Sequence, residues 1–394
     1  MRFRQVFSPG CSGIAVNGFG GYLRFRYATE ESGKLVKKAV VYTKDEHKIN
    51  ISDVDTQAIY IIERLQSNGY ETYVVGGAVR DLILGKKPKD FDIVSAASPA
   101  RIKRIFRNSR LIGRRFRLVH VYFGTKIFEV STFRSTRDGL TSNTFGTIEE
   151  DVKRRDFTMN ALFYDPLKQI VVDYVDGMKD IQKRVIRPII PLSEIFTDDP
   201  VRMIRAAKYA ALSGFSLPFF LRWKINRHSP LLSNVSPSRL TEEMFKIINS
   251  PNACEIVRNL DRLKIYVYLQ PRAVELFRVW PGFKDSYLNT MAALHREDSN
   301  RLPGQALSAL VRDYLEDLTD WDGKKGEQGS VPLAERFKAA FILAREFVLP
   351  INPPRKELYD ALRLLFMEHG VQVRRMRFNE RPPRFARRLK KTTE

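Results

Sequence analysis

Apolar side chains recur at helical spacing over residues 52–67, with Ile59, Ile62 and Leu65 on one side, which predicts an amphipathic helix. Asn68-Gly69 stops it. Tyr73-Val74-Val75 reads as a short strand, Gly76-Gly77 breaks it, and residues 78–84 form a second helix closed by Gly85. Residues 91–94 read as the next strand and 99–106 as a helix. Residues 118–123 and 126–133 are both of strand type, and Gly124-Thr125 between them has the length and chemistry of a hairpin. After Pro188 the pattern turns helical almost throughout, at 201–212, 240–248, 334–347 and 357–367, with a polar, Gly-rich exposed loop at 322–330. The expected fold class is α+β, a small mixed sheet in the head followed by an all-helical remainder. The expected divisions are a basic N-terminal tail over 1–48, a head over 49–185, a helical neck over 186–250, a helical body over 251–370 and a basic tail over 371–394.

Composition adds one unusual quantity. Lys and Arg number 67 against 45 Asp and Glu, a formal charge of +22 on 394 residues. Solubility alone needs far less, so the excess points to a polyanion, nucleic acid before anionic membrane. Hydrophobic residues at 43% and charged ones at 28% are ordinary for a folded chain. Cys11 and Cys254 are too few and too far apart for a disulfide framework or a zinc site, which favours a reducing compartment. No apolar run approaches the roughly 20 residues that span a bilayer. The expected location is cytoplasmic; residues 1–29, with Arg2, Arg4, Arg24 and Arg26 and no acid before position 30, also have the composition of an organellar import segment.

Candidate chemistry begins at Asp90-Phe91-Asp92. Residues two apart on a strand share a face, so the two carboxylates converge while Phe91 enters the core. Adjacent like charges invite a cation, and magnesium takes one or two carboxylates together with phosphate oxygens. Alone, Asp-x-Asp is a weak signal, since most examples are exposed turn residues. Upstream, Gly76 and Gly77 allow backbone N–H groups close to a phosphate at a strand-to-helix junction, and Arg80 can offer a fork to phosphate oxygens. The plainer reading there is a tight turn with an Arg–Asp ion pair. Glu129, a charge within an apolar alternating stretch, becomes a third carboxylate if its strand pairs near Asp90 and Asp92.

These residues resemble a known family. Gly76-Gly77-Ala78-Val79-Arg80-Asp81 followed by Asp90-Phe91-Asp92 is similar to the head of the class II tRNA nucleotidyltransferase/poly(A) polymerase family. Arg154-Arg155-Asp156-Phe157-Thr158-Met159-Asn160-Ala161 resembles its ribose-selecting motif, and Asp173-Tyr174-Val175-Asp176-Gly177-Met178-Lys179-Asp180 its hinge segment. Asp198-Asp199-Pro200-Val201-Arg202-Met203-Ile204-Arg205-Ala206 resembles the neck motif that selects the base, although the family commonly has Glu where Asp198 stands.

The resemblance spans residues 49–248 and implies a polymerase beta-like nucleotidyltransferase head with an all-helical neck and body. It implies that Asp90 and Asp92 bind two magnesium ions and that Gly76, Gly77 and Arg80 handle the triphosphate. Arg155 and Asp156 would meet the nucleotide sugar, with either Glu129 or Asp156 completing the catalytic acids. Asp199 and Arg202 would present a donor–acceptor edge to the base, as a carboxylate and a guanidinium can. The plainer reading of Asp199-Pro200 is a helix cap with proline at the first helical position.

Gly113-Arg114-Arg115-Phe116-Arg117-Leu118-Val119-His120-Val121, residues 127–134 and Phe145-Gly146-Thr147-Ile148-Glu149-Glu150-Asp151 resemble the bacterial poly(A) polymerase branch, although the connection 135–145 is shorter than in some of its members. The expected activity is addition of AMP from ATP to RNA 3′ ends, promoting RNA turnover. The alternatives are CCA addition to tRNA and, in another class, a non-catalytic RNA-binding protein. Expected partners are ATP and RNA 3′ ends, with no membrane, for a monomer. Arg114, Arg115 and Arg117, with Arg387, Arg388, Lys390 and Lys391 in the tail, are the candidate phosphate contacts for RNA, with Phe378 and Phe385 interleaved.

Overall fold

Tyr73, Val74 and Val75 are all buried, the mark of a strand covered on both faces, and they lie at the centre of a nine-stranded sheet. The computed structural model describes residues 25–29, 35–113, 118–135, 144–294, 304–323 and 331–374. The strands are β1 (Phe25–Thr29), β2 (Leu35–Tyr42), β3 (Thr72–Val75), β4 (Asp92–Ser95), β5 (Ser109–Ile112), β6 (Leu118–Phe123), β7 (Lys126–Thr132), β8 (Leu162–Asp165) and β9 (Ile170–Asp173). Their order is β1-β2-β9-β8-β3-β4-β7-β6-β5, antiparallel except for the parallel pair β4–β7. One face buries Val41, Tyr73, Val75, Val94, Phe133, Phe163 and Val172 in a continuous apolar layer with Ile148 and Val152.

The expected helix over 52–67 starts later, as Thr56–Ser67, because Asp55 caps it by accepting from the Gln57 N–H at 2.8 Å. Ile51–Asp53 forms a separate 3-10 turn. The hairpin at Gly124-Thr125 is present, joining β6 to β7. A larger difference concerns the segment expected as a basic tail over 1–48, which supplies β1 and β2 to the sheet. Arg26, read from sequence as a tail charge, is buried; it donates to Glu71 Oε1 at 2.8 Å and to the Tyr73 hydroxyl at 2.5 Å. A buried cation needs such partners, and both lie far along the chain, where no local pattern reveals them. The hairpin β8–β9 was likewise not anticipated.

The chain divides into two compact units. One holds residues up to Arg202 with Ser213–Lys224; the other holds Met203–Leu212 with residues from Ile225 onward. The second unit is helical, with helices at Pro237–Ile248, Ala253–Arg262, Pro271–Val279, Phe283–Ala293, Gln305–Leu315, Leu333–Val348 and Arg355–Glu368. Two of its buried charges are paired, Lys208 Nζ lying 2.7 Å from Glu243 Oε2. Among the described residues no helix is long and apolar enough to cross a membrane.

Candidate active site

Two strand pairings bring the first candidates together. Val75 at the end of β3 is opposite Asp92 at the start of β4, so the Gly76 turn lies beside the Asp92 carboxylate. A Cβ on Gly76 would come to 3.7 Å from Asp92 Oδ2, an ordinary contact; the need for glycine is its backbone, φ +73° with ψ −137°. Gly77 opens the helix Gly77–Ile83. On the other side of β4, the parallel register Ile93↔Val130 sets Asp92 next to Glu129 on β7. Asp90, Asp92 and Glu129 are exposed, whereas Phe91 is buried, the alternation expected of the motif.

Charge crowding is legible in the protonation of Asp92. Its carboxyl is pushed up to about 6, first by the protein mass packed around it, next by Glu129; Arg155 opposes and Asp90 adds to the rise. Although its outer surface meets solvent, the side chain is set among the atoms of its neighbours, and the value follows from that enclosure. Among the described residues no three His, Cys, Asp or Glu side chains form a ready metal cage. The donor set suits a hard cation that takes two carboxylates and fills its other positions with phosphate oxygen and water.

The positive side of the site comes from the helix Ile148–Arg154. A reciprocal cap between Thr147 and Glu150 starts it, and its end presents Arg154 and Arg155. Arg155 donates to Asp151 Oδ2 at 2.9 and 3.1 Å and to the Asn160 carbonyl at 3.2 Å, while its guanidinium lies over the Phe163 ring. Ser131, Arg134, Asp151, Arg154 and Arg155 line a hollow of about 260 Å³. Burial, then the neighbouring Arg134, pulls the Arg154 guanidinium below its ordinary value, as expected of like charges held side by side. Sequence reasoning did not single out Arg134 or Arg154 for this site. Both stood inside segments that resemble the family, Arg154 at the start of 154–161 and Arg134 at the end of 127–134, but with no role of their own.

The base-selecting candidates lie at the far side of Arg154, which also feels Asp198. Arg202 is buried; it donates to Asp198 Oδ2 at 2.5 Å and to the Ile195 carbonyl at 3.1 Å. Asp199 caps the helix Val201–Ser213, its Oδ1 accepting from the Val201 N–H at 3.1 Å. The ion pair thus joins Arg202 to Asp198, while Asp199 serves the backbone.

Arg80 and Asp156 are turned inward. Arg80 is 5% exposed, donating to Asp81 Oδ1 at 2.8 and 2.9 Å and to Asn160 Oδ1 at 2.8 Å. Asp156 is buried, accepting from the Phe157 N–H at 2.8 Å. Of the two candidates for a third carboxylate, Glu129 is the one exposed beside Asp92. Beneath them, Asp180 Oδ2 accepts from the Thr158 hydroxyl at 2.6 Å and Arg187 Nε at 2.8 Å. Asp173 accepts from the N–H groups of Val175, Gly177 and Met178 at 2.9–3.0 Å. A second groove of about 680 Å³ borders Asp90 and is lined also by Lys87, Lys89 and Lys126. Arg114, Arg115 and Arg117 lie outside the described residues, as do Arg387, Arg388, Lys390 and Lys391.

Known proteins resemble this chain over both units. The poly(A) polymerase head domain matches residues 72–187, and a domain described as the probable RNA and SrmB-binding site of polymerase A matches residues 214–276. Poly(A) polymerase I of Salmonella typhi is 41% identical over 253 residues, 60% of this chain and 54% of that protein. A CCA-adding enzyme of Geobacillus kaustophilus is 35% identical over 273 residues, 67% of this chain and 66% of that one. Among solved structures, the Bacillus stearothermophilus CCA-adding enzyme in complex with CTP superposes with a TM-score of 0.53 at 26% identity, covering 80% of this chain and 83% of that chain. The chain spans about half the length of the poly(A) polymerases it matches.

Proposed function

Because the chain belongs to the class II nucleotidyltransferase family, with a poly(A) polymerase head and RNA-binding domain, we propose that it adds AMP from ATP to RNA 3′ ends without a template. The observation that carries this reading is the position of Asp92, crowded by Glu129 and Asp90 and eased by Arg155, which itself lines the hollow with Arg134 and Arg154. A carboxylate pair facing a group of guanidiniums is what a metal-bound triphosphate requires. The RNA 3′ hydroxyl gives up its proton to solvent as its oxygen bonds to the α-phosphorus of ATP, the bond from that phosphorus to the bridging oxygen breaks, and pyrophosphate leaves. Asp90 and Asp92 would hold the two magnesium ions, which when bound would acidify the attacking hydroxyl and offset charge on the leaving group.

The chain's own residues do the rest. Arg155 lies between Asp92 and the arginine hollow, fixed by Asp151 and the Asn160 carbonyl, so it meets the nucleotide without reorganising. Arg80 holds Asn160 and so sets that segment from below. Asp199 and Arg202, the latter held by Asp198, would read the base edge. The lysine-lined groove beside Asp90 suits the phosphates of the RNA 3′ end. Adenosine specificity is favoured by the 41% identity to poly(A) polymerase I. CCA addition is the second reading, favoured by the solved CCA-adding enzyme of the same fold.

The test offers one labelled nucleotide at a time, with magnesium, to a generic RNA and to a tRNA lacking its 3′ end. Long adenosine tails on both are expected. Incorporation of CTP followed by a single adenosine, on tRNA alone, would overturn the assignment in favour of CCA addition. RNA binding without incorporation of any nucleotide would leave only a non-catalytic RNA-binding protein.

A further inference from the structure

The helix Phe219–His228 carries an unusual surface. Leu221 and Ile225 are buried, so its aliphatic residues are already committed to the protein interior. Phe219, Phe220 and Trp223 are left outside, 66, 70 and 53% exposed. Spacings of three and four residues set Trp223 on the same face as the two phenylalanines. The Phe219 and Phe220 rings meet edge to face, centroids 5.6 Å apart and planes at 76°, so they brace each other with flat surface still uncovered. Exposed aromatics gathered this closely are costly in water and mark a recognition surface.

Charge narrows the kind of partner. Arg222 stands exposed among the rings, with Lys224 next to them. From Pro200 to Thr241 the chain contains no acidic residue at all. A patch that is aromatic, planar and positive, with no aliphatic side chains of its own, combines the two elements that hold single strands: π-faces for bases and cations for phosphates. An interfacial membrane helix also uses Trp and Phe beside Lys and Arg, but its hold scales with apolar area, and here the aliphatic side chains that would extend that area are turned inward.

We propose that Phe219, Phe220 and Trp223 form a stacking platform for unpaired bases of the RNA substrate, upstream of its 3′ end, with Arg222 on an adjacent phosphate. The platform reads no sequence, because every base has a π-face. It rests on RNA being the substrate and adds where, and by what contact, this chain holds it.

The two contributions separate by salt dependence, since stacking releases no counterions and a phosphate contact does. The full-length chain is titrated with a fluorescein-labelled 20-nucleotide oligoadenylate across a series of salt concentrations. Phe220→Ala and Trp223→Ala should each weaken binding by roughly five- to a hundredfold while leaving the slope of log K against log salt unchanged. Arg222→Ala should lower that slope by about 0.7. Oligoadenylate should also quench the tryptophan emission of the unmodified chain, with much of the quenching lost in Trp223→Phe. Unchanged affinity in both aromatic variants, with their melting temperatures preserved, would overturn the platform. So would loss of binding to phosphatidylserine vesicles with RNA affinity intact. Failure of the unmodified chain to bind oligoadenylate would overturn the RNA-substrate reading and the platform with it; CCA rather than adenosine addition, with the affinity losses still present, would leave the platform standing.

Discussion

Glu129→Gln tests whether the acidic cluster is electrostatically one unit. β4 and β7 are parallel neighbours, and Asp92 and Glu129 sit side by side on one exposed face. Adjacent strands put such carboxylates about 5–6 Å apart. At that distance two charges repel by about 0.7 kcal/mol in a water-like dielectric and about 2.8 kcal/mol at an effective dielectric of 20. Both groups meet solvent, so the lower part of the range applies, about 0.5–1 pKa unit. Asp92 starts at about 6 because its surroundings and its acidic neighbours disfavour the anion. Removing the Glu129 charge makes the anion easier to form, so the Asp92 titration should move down, to about 5–5.5. The assay is a carbon-13 NMR titration of selectively labelled aspartate carboxyls in metal-free protein. Arg155→Gln should move the same resonance the opposite way. Because proton and metal compete for one carboxylate, the acid limb of magnesium-dependent incorporation should follow each shift. An Asp92 midpoint that stays in place in Glu129→Gln, or rises, would refute the coupling.

Three further outcomes follow from the geometry. Gly76→Ala forces a side chain onto a backbone at φ +73°, ψ −137°, and should cost about 1–3 kcal/mol in calorimetry, with a disproportionate loss of incorporation because the strained turn borders Asp92. Lys208→Met leaves Glu243 buried with only Lys246 as partner and should cost about 3 kcal/mol in urea unfolding, most of it recovered in the double variant Lys208→Met/Glu243→Leu. Burial works to raise Glu243, yet Lys208 and then Lys246 override it and hold the carboxyl below its ordinary value. The pair's contribution is therefore present at neutral pH and fades as pH falls through the folded-state value, a fade the double variant should lack. Arg202→Lys removes the planar guanidinium whose Nη1 meets both Asp198 and the Ile195 carbonyl, and should narrow the preference for ATP over CTP by roughly tenfold in single-nucleotide incorporation.

The parts of the site that were legible in the sequence are those written locally. Asp90-Phe91-Asp92 announces its alternation in three residues, and the glycine turn before it lies within one strand–turn–helix unit. Glu129 was reachable because the Gly124-Thr125 hairpin fixes which face its strand offers. Arg134 was not, because its place depends on how the chain after β7 meets the helix Ile148–Arg154, a tertiary matter. The N-terminal strands were missed for a related reason. Arg26 reads as solvated charge until Glu71 and Tyr73 are brought to it, and β2 is recognisable only by its pairing with β9. Asp198, noted as a departure from the family's usual Glu, is a residue whose carboxylate meets Arg202, a contact that the motif alone did not announce.

Asp173 and Asp180 carry a consequence for anyone who maps this chain by mutation. Both are buried carboxylates that touch no exposed part of the site, yet Asp180 ties down Thr158 and Asp173 clamps the turn at Gly177, whose Cβ position is filled by the Thr158 carbonyl. Replacing either would release the segment that orients Arg155, and the result in a tailing assay would look the same as loss of a metal ligand. A survey scored only on lost incorporation would therefore report more catalytic acids than the chemistry uses. Heat would sort them: variants of Asp90 and Asp92, which relieve crowded charge, should melt no earlier than the parent, while variants of Asp173 and Asp180 should melt well before it.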